Sequence, residues 1–214
     1  MKPKKNRTIL IAAGALWVLV SCTGIGLLRT YESRPGAASA APEQWPAGGP
    51  LRHATDRATL VMLAHPHCPC TRASLGELAR LMAQARGRVT AYVLFVKPSD
   101  FPDGWEKTDL LASASAIPGV TVVRDDGGVE AARFRAATSG QTMLYDAGGK
   151  LLFSGGITSA RGHEGDNAGR AAIVSLLTTD EAGPTGAPVY GCPIFAETTE
   201  CRAGEEAGHA KHDH

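Results

Sequence analysis

The chain has 214 residues, enough for one ordinary domain with appendages. Its 22 lysines and arginines nearly balance 21 acidic residues, for a formal charge of +1, so no basic field argues for nucleic-acid binding. Glycine and proline are plentiful, at 25 and 13, while aromatics reach only 6%, which suits a small α/β domain with loose ends.

The chain opens "MKPKKNRTILIAAGALWVLVSCTGIGLLRTYESRPG". A basic start precedes an uncharged, mostly apolar run over 8–28, long enough to cross a bilayer as a helix of about 20 residues. Lys2, Lys4, Lys5 and Arg7 favour a cytoplasmic N-terminus. The run predicts a single-pass anchor in the inner membrane, with everything after Arg29 on the periplasmic or outer side. Two alternatives stay open: lipoprotein processing at Cys22 in "LVSC", and cleavage as a signal peptide. The apolar run continues six residues past Cys22, which favours the uncleaved anchor. The expected organisation is an anchor over 1–30, a Pro/Ala/Gly-rich linker over 31–50, a folded domain over 51–180, and a cysteine-containing, His-rich extension over 181–214. The linker composition predicts a tether, and Trp45 within it is either a docking point or incidental.

"ATLVMLA" at 58–64 predicts a buried strand. "HPHCPC" at 65–70 follows directly. The next residues, 71–87, carry Leu75, Leu78, Leu81, Met82 and Ala85 on one helical face, and Gly87 can end that helix. "VTAYVLFV" at 89–96 predicts a second strand, parallel to the first. A loop with a possible helix, a strand in "VTVVRDDGG" and a short helix in "VEAARFRAA" come next. Residues 142–157 predict a hairpin around an Asp-Ala-Gly-Gly turn, and a last helix runs through Ala171, Val174 and Leu177. The fold class is therefore α/β, a central mixed sheet flanked by helices. "DDGG" and "DAGGK" are turns, lacking the glycine spacing and Lys-Ser/Thr ending of a phosphate loop.

The cysteine motif thus lies where a strand's C-terminal end meets a helix's N-terminus, the place where open α/β sheets put their chemistry. Amide hydrogens and the helix dipole there favour a thiolate. Cys68 and Cys70 are candidate redox residues, and His67, bordering Cys68, is the candidate to lower its pKa and shuttle a proton. A Cys68–Cys70 disulfide closes a tight ring and would be oxidising. Helix geometry nonetheless favours that pairing, because the first turn holds Cys70 while Pro69 bends the chain at Cys68. The other possible partners are Cys192 and Cys201, which could instead form a structural disulfide with each other. A metal-handling alternative uses His65, His67, Cys68, Cys70 and Cys192 as nitrogen and sulfur ligands for copper or zinc, with His209, His212 and His214 in the tail. Arg72 could stabilise a thiolate, Glu77 reads as solvated, Asp126 and Glu130 read as surface charge, and His163 and Glu164 occupy a Gly-flanked loop.

With these elements in this order, residues 50–180 resemble the thioredoxin-like superfamily. Membrane-anchored extracytoplasmic thiol reductases and their peroxiredoxin-like relatives are the nearest in pattern, and the pattern with its anchor is similar to RedB-type proteins. Residues 60–64 match the strand before the redox loop and 71–85 the helix after it. Cys68 matches the exposed nucleophile, and Pro69-Cys70 the proline and resolving cysteine. Residues 125–134 and 140–156 match the Asp-Gly segment and the closing hairpin. Two departures stand out: the motif is Cys-x-Cys rather than Cys-x-x-Cys, and Gln141 stands where the superfamily has a cis-proline.

The resemblance implies a thiol–disulfide oxidoreductase acting outside the cytoplasm on protein or small-molecule disulfides. Cys68 would attack, and Cys70, or failing that Cys192, would resolve the mixed disulfide. No cofactor is expected. The partners would be a protein disulfide substrate or a membrane electron donor. A scaffold of this fold that binds a partner without turnover is a third reading.

Overall fold

The computed structural model describes residues 3–37, 39–179 and 183–195, and only the backbone of residues 3–6. Cys201 and the tail histidines, and with them a Cys192–Cys201 disulfide, lie outside the described residues. The chain divides into two units, Met1–Arg34 and Pro35–His214.

The first unit holds helix α1, Pro3–Glu32. Its stretch Arg7–Glu32 is long and apolar enough to cross a membrane.

The second unit is built on a six-stranded sheet. Strand β1, Ala58–Ala64, pairs in parallel with β2, Val89–Lys97, from Ala58 opposite Val89 to Ala64 opposite Phe95. Helix α2, Pro69–Gln84, makes the crossover between them. Helix α3, Asp109–Ser115, leads to β3, Val120–Asp126, which extends the parallel part on the far side of β2. The short helix α4, Val129–Arg133, follows. Strand β4, Thr142–Tyr145, then runs antiparallel to β1, and β5, Leu151–Gly155, antiparallel to β4. Helix α5, Ala168–Thr178, precedes β6, Gly186–Ala187, a two-residue strand parallel to β5 that the sequence pattern does not announce. The strand order is β3-β2-β1-β4-β5-β6.

Strand β1 is apolar from Leu60 to Ala64 because both of its faces are covered. Leu60, Met62 and Ala64 join one core with Leu75, Leu78 and Leu81 of α2, Phe95 of β2, Phe153 of β5 and Ile173 of α5. Val61 and Leu63 point the other way, into a core with Leu94, Val96, Phe134, Met143 and Tyr145. The face foreseen for α2 is the one it buries. The hairpin turn is held by Asp146, whose Oδ1 accepts from the amides of Gly148 and Lys150 at 2.9 and 2.8 Å.

Where composition suggests a tether, residues 36–37 and 39–51 lie along the rest of this unit. Trp45 packs edge-on against Phe134 and Tyr145, with ring centroids 5.2 and 5.3 Å apart. The Tyr145 hydroxyl donates to Pro42 O, and the Leu151 amide to Glu43 O.

Two charge readings change. Glu77 is fully buried rather than solvated. It pairs with Arg80 and with Arg170 Nε at 2.7 Å, and accepts from the Gly165 amide and Asn167 Nδ2. Glu130 is buried rather than on the surface and pairs with Arg133 at 3.0 Å. Asp126 stays on the surface, as read, where it binds Arg124 Nε at 2.7 Å. The neighbouring buried Asp125 caps α4 by accepting from the Glu130 and Ala131 amides.

Candidate functional site

The motif's geometry begins with Pro69. It occupies the first turn of α2, where its missing N–H costs nothing, and Cys68 becomes the N-cap residue with extended backbone. The Thr71 amide donates to Cys68 O, and the Cys68 amide to His65 O, which folds 65–71 into a tight entry to the helix. The amides at a helix start have no partner inside the helix. Here the Cys70 amide favours the charged form of the Cys68 sulfur.

Cys192 comes from the segment after β6 and meets Cys68 across 124 residues of sequence, with the two sulfurs 2.8 Å apart. Its amide also favours the charged form of Cys68. Hydrogen bonds from the Cys192 and Cys70 thiols, with the two amides behind them, hold the Cys68 thiol far below its ordinary range despite its burial. The same bond to Cys68, together with burial, pushes Cys70 and Cys192 up. The positive charge of Arg161 works against that rise at both. Arg161 is held beside the segment by donating from Nη1 to Gly191 O at 2.8 Å.

Ser139 ties the three parts together and is fully buried. Its hydroxyl accepts from the His65 amide at 2.9 Å and lies 2.9 Å from Thr71 Oγ1. Its amide donates to Cys192 O at 2.8 Å. The loop continues through Gly140, at φ +86°, where a side chain would strike Ser74 Oγ. Gln141, at the place of the expected proline, accepts from Ser39 Oγ and the Ala137 amide, and no cis peptide occurs among the described residues.

The histidines take separate places. The His67 ring is turned outward onto Trp105, centroids 4.5 Å apart, with Nε2 2.9 Å from Trp105 O. The buried imidazole is His65, whose Nδ1 accepts from the His67 amide at 3.2 Å. Burial pushes its pKa down, and the charge of Cys68 pulls it partly back. His65 is thus the imidazole electrostatically joined to Cys68. Arg72 pairs with Asp109, His163 Nδ1 lies 2.8 Å from Arg161 O, and Glu164 binds Arg80. No group of three or more His, Cys, Asp or Glu suited to hold a metal ion exists among the described residues.

Sequence reasoning found the three cysteines and missed Ser139, Arg161 and Trp105. A serine in "TSGQT" and an arginine in a glycine-flanked loop carry no spacing signal that ties them to a motif so far away.

A parallel β1-α2-β2 unit, an antiparallel β4-β5 hairpin, a closing helix and a cysteine at the N-cap of α2 together make the thioredoxin-like fold. No protein-family model matches the chain, and no curated protein matches it. Among solved structures, its fold is similar to that of a hypothetical protein from Sinorhizobium meliloti 1021, at TM-score 0.58 and 20% identity over 75% of this chain and 98% of that one. It is similar also to an uncharacterized conserved protein from Geobacillus kaustophilus, at TM-score 0.57 and 19% identity over 77% of this chain and 99% of that one. More distant is an exposed lipoprotein thioredoxin from Streptococcus pneumoniae strain TIGR4, at TM-score 0.44 and 14% identity over 64% of this chain and 98% of that one.

Proposed function

We propose that this protein is a membrane-anchored thiol–disulfide oxidoreductase that works outside the cytoplasm, with Cys68 as nucleophile and Cys192 as resolving cysteine. The observation that carries this reading is the contact of the two sulfurs at 2.8 Å.

The Cys68 thiolate attacks one sulfur of a substrate disulfide. A Cys68–substrate bond forms, the substrate's own S–S bond breaks, and the second substrate sulfur leaves as a thiolate that takes a proton. The charge on Cys68 is then gone. That charge, and the hydrogen bond to it, had kept Cys192 protonated, so Cys192 now ionises more readily, with the Arg161 charge favouring the thiolate. Cys192 attacks Cys68 Sγ, expels the first substrate sulfur as a thiolate, and leaves a Cys68–Cys192 disulfide. The substrate gains two electrons and the protein loses two, which a membrane electron donor must restore. Cys70, fixed in the first turn of α2, then serves as a donor to the Cys68 thiolate rather than as its partner.

The decisive assay is trapping. A Cys192→Ser protein mixed with a disulfide-bonded substrate should accumulate a mixed disulfide on Cys68, and Cys68→Ser should form none. An adduct that persists in Cys68→Ser overturns the assignment.

A further inference from the structure

The segment 191–194 sits in the site as an added strand. The Ser139 amide donates to Cys192 O at 2.8 Å, the Ile194 amide donates to Ala137 O at 2.9 Å, and Thr138 and Pro193 form an antiparallel bridge between these bonds. Pro193 faces away from the ladder at the one position where a missing N–H costs no bond. Cys192 is thereby aimed at the Cys68 sulfur. Ile194, only 3% exposed, anchors the far end in the core of Val61, Leu63 and Phe134. At the near end, Gly191 passes so close that a side chain there would lie 2.0 Å from Ser139 O. With the segment in place Cys68 is 1% exposed, so an outside disulfide reaches it in line only once the segment has moved.

A backbone-paired strand that delivers one cysteine to the nucleophile is what an extended polypeptide substrate would be. We propose that residues 191–194 are an internal stand-in for such a substrate, which enters by displacing them and adding its own strand to 137–139. This rests on the thiol–disulfide reading above. Return of the segment after the first exchange then does two things. It brings Cys192 back to Cys68 and removes the backbone seat of the reduced product. The recognised class is an extended peptide with a disulfide-bonded cysteine. The backbone carbonyl of that cysteine takes the Ser139 amide, and the N–H two residues later takes Ala137 O.

The test uses the reduced full-length protein and the hexapeptide of residues 190–195, its cysteine activated as a 2-thiopyridyl disulfide, with release of thiopyridone as the readout. A small disulfide, 2,2′-dithiodipyridine, reports whether Cys68 reacts at all. Gly191→Val forces the segment away from Ser139, and Ile194→Glu withdraws its anchor, so the result does not hang on one variant folding; circular dichroism checks both. The peptide rate should rise at least about tenfold in both variants. N-methylation of the peptide's isoleucine, which removes one ladder bond, should lower it about fivefold there. An unchanged peptide rate in the folded variants, or indifference to N-methylation, overturns the stand-in while the small disulfide still reacts. A Cys68 that reacts with neither probe overturns the thiol–disulfide reading and this inference with it.

Discussion

At the scale of single residues, the reactivity proposed for Cys68 rests on the groups around its sulfur. Two thiols and two amides favour its charged form, and burial opposes it. Cys68 should therefore be alkylated by iodoacetamide well below the pH at which an ordinary thiol, near 8.5, ionises. Cys192→Ala removes the largest of these donors, so the midpoint of the alkylation profile should move up; an unmoved midpoint contradicts the role of Cys192. The linkage has a definite sign. Cys68, depressed in the fold, contributes stability above the unfolded thiol value of about 8.5 and loses it as pH falls through its folded value. Cys70 and Cys192, both raised, contribute fully below about 8.5 and lose their contribution as pH rises. Ser139→Ala is the second residue-level prediction. It leaves the buried His65 amide without an acceptor and should cost about 1–3 kcal/mol, read as a lower urea midpoint. It should also loosen the entry to α2 and raise the pH at which Cys68 alkylates.

At the scale of elements, α2 is held at two places by different means. Its N-terminus is tied through Thr71 to Ser139, and its middle through Glu77 to the loop before α5. Glu77→Gln breaks a buried ion pair with Arg170 and should destabilise the domain by about 3 kcal/mol in urea unfolding. The Cys68 alkylation profile should change little, because Glu77 does not touch the thiols. A loss below about 0.5 kcal/mol would assign Glu77 no more than a surface pair. These elements differ in how far sequence reveals them. Strand β1 and the face of α2 were legible because continuous burial and a helical period leave local patterns. Glu77 was not, since its partners Gly165 and Asn167 lie 88 and 90 residues away and nothing local marks it as buried. Strand β6 was not, because two residues carry no period. The site shows the same division. The cysteine motif and its helix were legible at 65–71, whereas the meeting of Cys192 with Cys68 depends on β6 and the Ser139 loop bringing distant segments together.

At the scale of the whole molecule, a helix able to span a bilayer precedes a thioredoxin-like domain. If that helix is an uncleaved anchor, protease added to cells with an opened outer envelope should digest the domain while leaving a membrane-bound N-terminal fragment. A domain protected there contradicts an extracytoplasmic site. The account as a whole turns on which sulfur pairs with Cys68. The direct measurement is peptide mapping of the oxidised full-length protein by mass spectrometry, with cleavage between residues 70 and 192. The mechanism predicts a crosslinked pair of peptides carrying Cys68 and Cys192, lost in Cys192→Ser. A disulfide confined to the peptide holding Cys68 and Cys70, or no crosslink under oxidising conditions, would contradict it.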